Sequence, residues 1–281
     1  MASRVWLITG TSSGFGKRLV HLVLSRGDRV IATARSENNL NELLKECDAG
    51  ARDNLRTLQL DLTEGEASLK KKADEAAAFW GQIDVLVNNA GIGYPGLLEE
   101  AGSTLLRKQY ETNVFGLMDM TTAVLPHLRA RKEATMVVVG SRSAYRTEIP
   151  GLGPYALTET LAAELAPLNI RVLLVAPGSF RTEGIYGQQF FIDNNIADYN
   201  PLRELSGKRF RSIAGTQKGD PKKAMEVVVD IVRGEGVAKG KTWPGLLVLG
   251  GDAEADVRAK CTKTLEVLDE WKEVICNVNF D

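Results

Sequence analysis

Eight residues near the N-terminus, Thr9-Gly10-Thr11-Ser12-Ser13-Gly14-Phe15-Gly16, are of the types that hold an anion with backbone groups alone. Glycines let the chain turn tightly and approach a phosphate closely. A helix opening within the run aims its N–H groups and positive dipole end at that phosphate. Position separates this reading from an ordinary turn, because the run follows an apolar, strand-like segment and leads straight into an amphipathic one. A pyrophosphate-bearing dinucleotide is the expected ligand. Farther on, Ala32-Thr33-Ala34-Arg35 closes a second apolar segment without the carboxylate that would accept the ribose hydroxyls of NAD. Arg35 is suited to pair with a 2′-phosphate, so NADP is favoured over NAD; the plain alternative is a solvated arginine opening the next helix. Lys17 is a second, weaker candidate for that phosphate.

Tyr155 invites a different chemistry. A tyrosine that donates a proton to a carbonyl near neutral pH must have its pKa of about 10 lowered, and a nearby cation lowers it. Four residues on stands Glu159, and a carboxylate there acts with the opposite sign.

These residues need a scaffold. Val5–Thr9, Arg29–Ala34, Leu55–Leu60, Asp84–Asn88, Met136–Val139, Arg171–Ala176 and Leu246–Leu249 read as strands, most of them apolar throughout, as parallel strands covered on both faces must be. Gly14–Ser25, Glu37–Glu46, Ala67–Trp80, Leu105–Arg129 and Leu157–Ala166 read as helices between them. The alternation predicts a doubly wound α/β fold, a parallel sheet of seven strands in one domain. Residues 4–182 form its cofactor-binding and catalytic core. Over Glu183–Gly219 the periodicity loosens, and so long a loop signals a substrate-binding or lid segment. Residues 220–281 supply the last strand and the closing helices, one starting at Pro221 and another running Ala253–Val274.

The bulk properties exclude several classes. A formal charge of −1 gives no reason to expect nucleic acid or an anionic membrane surface. Cys47, Cys261 and Cys276 are widely spaced, form no metal-ligand pattern and fit a reducing compartment. With no apolar stretch of membrane-spanning length and a first strand starting near Arg4, the expectation is a soluble cytoplasmic protein.

Taken in order, the motifs resemble those of the short-chain dehydrogenase/reductase family, with its Rossmann fold. The glycine-rich run matches the family's Thr-Gly-x-x-x-Gly-x-Gly. Asp61-Leu62 matches the aspartate segment that contacts adenine, and Asn88-Asn89-Ala90-Gly91 matches the signature that supports the sheet and lines the cofactor. Pro177-Gly178 with Thr182 matches the segment that holds the nicotinamide amide. Gly219-Asp220-Pro221 and the tail through Leu249-Gly250 and Glu270-Trp271 resemble a hydroxysteroid-dehydrogenase-like branch. That branch handles varied alcohols and carbonyls. The resemblance implies a serine that polarises the carbonyl, a tyrosine that handles the proton, a lysine four residues later and an asparagine in a proton relay.

Asn113 matches the asparagine and Tyr155 the tyrosine. Strand register makes Ser141 the serine, fourteen positions before Tyr155 where thirteen is usual, and Ser143 is the alternative. After Tyr155-Ala156 the pattern breaks. Leu157-Thr158-Glu159-Thr160-Leu161-Ala162-Ala163-Glu164-Leu165-Ala166-Pro167 matches a segment that relatives place farther down the helix. About eight residues, the lysine among them, are skipped, which corresponds to about 12 Å of helix and a phase error of roughly 80°. Either the helix stays anchored to the following strand and Tyr155 is drawn along the groove, or Tyr155 stays and the helix leaves its apolar register. The family commonly dimerises through this helix, so a homodimer is expected only with a shortened interface.

The expected function is NADP-dependent interconversion of an alcohol and a ketone or aldehyde, impaired by the missing lysine. A nucleotide-binding protein without turnover is the alternative, and a misplaced splice junction is a third reading. Tyr186, Phe190 and Phe191 suggest a partly apolar ligand, or else packing beneath a long loop.

Overall fold

The computed structural model describes residues 3–145, 155–183 and 188–280, with the side chains of Tyr155 and Ala156 outside the description. Its strands are β1 (Val5–Ile8), β2 (Arg29–Ala34), β3 (Leu55–Gln59), β4 (Val85–Asn88), β5 (Ala134–Val139), β6 (Ile170–Pro177) and β7 (Leu246–Leu249). Its helices are α1 (Gly14–Ser25), α2 (Glu37–Glu46), α3 (Glu66–Ala78), α4 (Leu98–Tyr110), α5 (Leu117–Arg129), α6 (Tyr155–Leu165), α7 (Asn200–Ile213), α8 (Pro221–Arg233), α9 (Gly251–Glu270) and α10 (Lys272–Cys276).

The seven strands form one sheet in the order β3-β2-β1-β4-β5-β6-β7, every neighbouring pair parallel. Strand order reverses between β1 and β4, and the crevice beyond their C-terminal ends is where such sheets receive ligands. Alternation along β1 explains why the strand is apolar throughout. Val5 and Leu7 face Leu69, Met120, Leu161 and Leu165 of α3, α5 and α6. Trp6 and Ile8 face Leu19, Val23, Met225 and Val228 of α1 and α8. A polar residue at any of these positions would be buried without a partner.

One carboxylate does lie inside this shell, and it is satisfied. Asp28, 1% exposed, accepts hydrogen bonds from the Trp6 indole and the Arg4 backbone N–H and pairs with Arg233 at the end of α8.

Three expectations need correction. The single helix read over Leu105–Arg129 begins at Leu98 and is interrupted by a π-helical turn, Glu111–Gly116, between α4 and α5. The chain is tightly packed at the end of that turn, where a Cβ on Gly116 would fall 2.4 Å from the Leu62 carbonyl oxygen. The segment read as a loop over 183–219 contains α7, a 14-residue helix that buries only Gly207. An ion pair holds it: Arg203 joins Glu100, a fully buried carboxylate of α4 that also accepts the Ile196 N–H. The final helix bends at Trp271, dividing α9 from α10.

Of the two arrangements expected for α6, the structure keeps the helix on the sheet, with Leu161 and Leu165 in the core beside β6. Among the described residues, no helix is long and apolar enough to cross a membrane.

Candidate active site

The crevice between β1 and β4 is built from Thr9. Its side chain is fully buried, donates to the Val87 carbonyl and accepts the N–H groups of Asn89 and Ala90 at 3.0 Å each. The Asn89 amide in turn donates to the Thr9 and Gly10 carbonyls at 2.9 Å. This ties the loop after β1 to the loop after β4 so closely that side chains are excluded. A Cβ on Gly10, whose φ is +70°, would lie 2.8 Å from Ala90 Cα, and one on Gly16 would lie 2.2 Å from the Gly10 oxygen. A Cβ on Gly91 would lie 3.3 Å from the Asn113 amide oxygen, a looser approach. Only glycine allows this approach at 10 and 16. Ser12 and Ser13 remain exposed at the start of α1, and Phe15 packs edge-on against Phe180 at 5.4 Å between centroids.

Arg35 extends from the end of β2 into solvent, and its side chain has no ion pair among the described residues. Lys17, the weaker candidate, is already paired with Glu46 at 2.6 Å. Beyond β3, the Asp61 carboxylate accepts the N–H and hydroxyl of Thr63, while Leu62 is buried beneath Gly116.

Asn113 sits in the π-helical turn, a deformation frequent at functional sites. Its amide bonds both ways to Ile92, accepting the N–H at 2.9 Å and donating to the carbonyl at 2.8 Å. Ser141 and Ser143 lie together past the end of β5. The Ser141 hydroxyl donates to Ser143 Oγ at 2.9 Å and accepts the Ser143 N–H at 3.1 Å. The structure therefore brings both candidate serines to one turn. The side chain of Tyr155, at the start of α6, lies outside the described residues, as do Gly151–Pro154 and Tyr186. Glu159 is exposed on α6. It lies near enough to Tyr145 to reinforce burial in raising that tyrosine's pKa, the sign expected of a carboxylate beside a phenol.

Two arrangements around Pro177–Thr182 were not anticipated. Arg142, between the two serines, pairs with Asp252 and Asp256 of α9 and donates to the Ser179 hydroxyl. Asp252 also accepts the Ser179 N–H and packs so close to Gly178 that a Cβ there would be 2.0 Å from its carboxylate. Burial alone would raise the Asp252 pKa, but the Ser179 N–H and the Arg142 guanidinium outweigh it and leave it lowered. The second arrangement is at the start of α1, next to Thr182. Glu183 accepts the Gly14 N–H at 2.8 Å and receives two bonds from Arg18. The Arg18 guanidinium, helped by the Gly14 N–H, overcomes partial burial and holds this carboxyl at about 2. An anion thus already lies where the sequence predicts a phosphate. The signal was available, since an acid placed near a helix N-terminus is favourable, but its partner lies 169 residues away.

Phe190 and Phe191 are half-buried and, with Tyr94, Gln188, Gln189 and Ile192, line an open cleft of about 440 Å³. Phe191 is held there by its N–H bond to the Pro95 carbonyl. Among the described residues, no cluster of His, Cys, Asp and Glu has a metal-binding arrangement.

Known proteins share this organisation. The sequence profile of the short chain dehydrogenase family matches residues 4–187. An uncharacterised oxidoreductase of Bacillus subtilis, YusZ, is 35% identical over 243 residues, which cover 82% of this chain and 85% of that protein. The oxidoreductase BOA17 of Botryotinia fuckeliana is 27% identical over 97% of this chain and 98% of its own length. The crystal structure of a short-chain dehydrogenase from Streptomyces avermitilis superposes with a TM-score of 0.82 at 31% identity, covering 99% of this chain and all of that one. With the fold, the motif order and the crevice geometry in agreement, the chain belongs to the short-chain dehydrogenase family of oxidoreductases.

Proposed function

We propose that this protein binds NADP(H) in the β1–β4 crevice and interconverts an alcohol and a ketone or aldehyde, at a rate held low because no cation stands four residues after Tyr155. The observation that carries the cofactor half is the side-chain-free cradle at Gly10 and Gly16, which leaves backbone to meet a pyrophosphate. Related solved structures hold NAD, NADH or NADP, according to the protein. Preference for NADP rests on Arg35, a solvent-facing guanidinium at the end of β2 with no carboxylate beside it in the sequence.

When bound, the nicotinamide supplies or accepts the hydride at the carbonyl carbon. Ser141, or Ser143 beside it, donates a hydrogen bond to the carbonyl oxygen. Tyr155 gives or takes the proton, and Asn113 keeps the relay's backbone in place through its two bonds to Ile92. Pro177, Gly178 and Thr182 hold the amide, and Asp61-Leu62 meets the adenine. Segment 183–219 covers the substrate, whose partly apolar character is supported by Phe190 and Phe191 lining the cleft with Tyr94.

The second reading, a cofactor-binding protein without turnover, is favoured by one observation: the residue four after Tyr155 is the exposed Glu159, and α6 carries no lysine. Titration with NADPH followed by a panel of carbonyl substrates separates the two. Saturable binding with slow NADPH oxidation that Tyr155→Phe abolishes supports the enzyme. Saturable binding with no oxidation across the panel supports the second reading, and absence of binding defeats both.

A further inference from the structure

The last helices behave unlike the rest of the molecule. The root of α9 is gripped, with Ala253 buried and Asp252 and Asp256 paired to Arg142. From Arg258 to Phe280, every residue is exposed. Helical hydrogen bonding nevertheless continues through the bend, with the Trp271 N–H on the Val267 carbonyl and the Ile275 N–H on the Trp271 carbonyl. A helix of this length with neither face buried is marginal in water, because nucleation is costly and little else offsets it.

Its sequence carries a face to bury. Cys261, Thr264, Leu268, Trp271, Ile275 and Val278 recur at alternating steps of three and four, the spacing of a two-helix seam. Leu265 and Val274, each about 60% exposed, flank that seam. The charges are divided along the length. Arg258, Lys260 and Lys263 lie in the first half, and Glu266, Asp269, Glu270 and Glu273 in the second, with Lys272 the exception.

We propose that this arm is an interface with a second copy of the chain, the two arms packing antiparallel about a two-fold axis level with Glu266. In that register Thr264 lies opposite the second copy's Leu268, Cys261 opposite its Trp271 and Val257 opposite its Ile275. Lys263 comes level with Asp269, and the basic half of each arm meets the acidic half of the other, with Lys260 level with Lys272 and Glu266 with its own copy as the like-charged exceptions. Parallel pairing would stack like charges instead. An anionic lipid surface is disfavoured, because acidic residues outnumber basic ones over 251–281. Two helices of this length offer an interface at the small end of the specific range, roughly 1,200 Å² in total, so the dimer dissociates on dilution.

Sedimentation velocity on the full chain across a dilution series tests this, alongside Leu268→Glu and, as an independent variant, Trp271→Ala. The expected result is a concentration-dependent dimer that both variants convert to monomer, with melting temperatures that match the wild type only at concentrations too dilute for it to dimerise. A wild-type monomer at all concentrations, or a dimer indifferent to both substitutions, overturns the proposal. So does recruitment of the monomer to anionic vesicles through the same residues. Orientation is read separately: mild oxidation links Cys261 to its own copy in a parallel pair but not in the antiparallel one, so Cys261-linked dimers also overturn it.

Discussion

The two sides of the crevice are built by different means. Between β1 and β4, Thr9, Gly10, Asn89 and Ala90 satisfy one another through backbone and short side chains, and the glycines leave room for nothing else. Beyond β5 and β6 the arrangement is made of long charged side chains: Arg142 between Asp252, Asp256 and Ser179, and Glu183 between Arg18 and Gly14. A geometry made of backbone is indifferent to side chains that point away from it but admits no added methyl at its glycines. A geometry made of individual charges depends on single side chains, and α6 from Tyr155 to Leu165 carries no cation.

The largest effect should come from restoring the charge. Insertion of about eight helical residues carrying lysine four after Tyr155 is expected to raise turnover roughly 10²- to 10⁴-fold. NADPH oxidation with a reactive carbonyl measures it. If cofactor binds and the rate does not rise, the lysine is not what the catalytic side lacks. Whether natural protein carries such a block is answered by its tryptic peptides, since Thr147–Arg171 contains no internal lysine or arginine and must appear whole if it does not.

Next in size is damage to the backbone side. Gly16→Ala forces a methyl to within 2.2 Å of the Gly10 oxygen, and overpacking of this kind costs about 1–3 kcal/mol. If the strain falls on the cradle, NADPH affinity should drop by up to roughly 100-fold. An unchanged titration would mean that the cradle is softer than its packing suggests.

Arg35→Ala sharpens the comparison further, because Arg35 is the one long charged side chain assigned to the cofactor half. Loss of its charge-assisted bond should weaken NADPH by about tenfold or somewhat more while leaving NADH unchanged. Equal weakening of both would show that Arg35 does not read the 2′-phosphate.

The smallest effect is at Glu183. Glu183→Gln removes an anion from the N-terminus of α1, so NADPH should bind a few-fold tighter at low salt. The same substitution reports on stability. The folded carboxyl titrates at about 2, below the unfolded value of about 4.3. Its contact therefore adds stability above the unfolded value and loses it as pH falls toward the folded one. Melting curves of wild type and variant should differ near neutrality and converge in strong acid. A difference that grows on acidification would contradict the assignment.

Legibility in the sequence follows the same division. The strands were readable because most have two covered faces and are apolar throughout, β3 with its exposed Arg56 and Gln59 being the exception; α1 and α2 were readable from their periodicity, with Ser36 capping α2. The cradle was readable because glycine has few other reasons to recur there. α7 was not: Leu202 and Leu205 are exposed, only Gly207 is buried, and the Arg203–Glu100 pair that holds it joins residues 103 apart. The interruption before α5 was hidden as well, since a π-helical turn disturbs the 3.6-residue period by a single position. The role of Arg142 was not legible either, because its three partners come from residues far along the chain.

The buried carboxylate of Asp28 has a consequence for synthesis. Its Trp6 and Arg4 partners leave the ribosome before it, whereas Arg233 follows 205 residues later. Until then the N-terminal end of β2 carries a negative charge without its counterion, and α1 lacks α8 to cover it. Breaking such a pair costs about 3–5 kcal/mol, a large part of a domain's whole stability. Nascent chains that stop short of Arg233 should therefore remain open to chaperones and proteases, and completion of α8 is the step that commits the first-made strands to the native state.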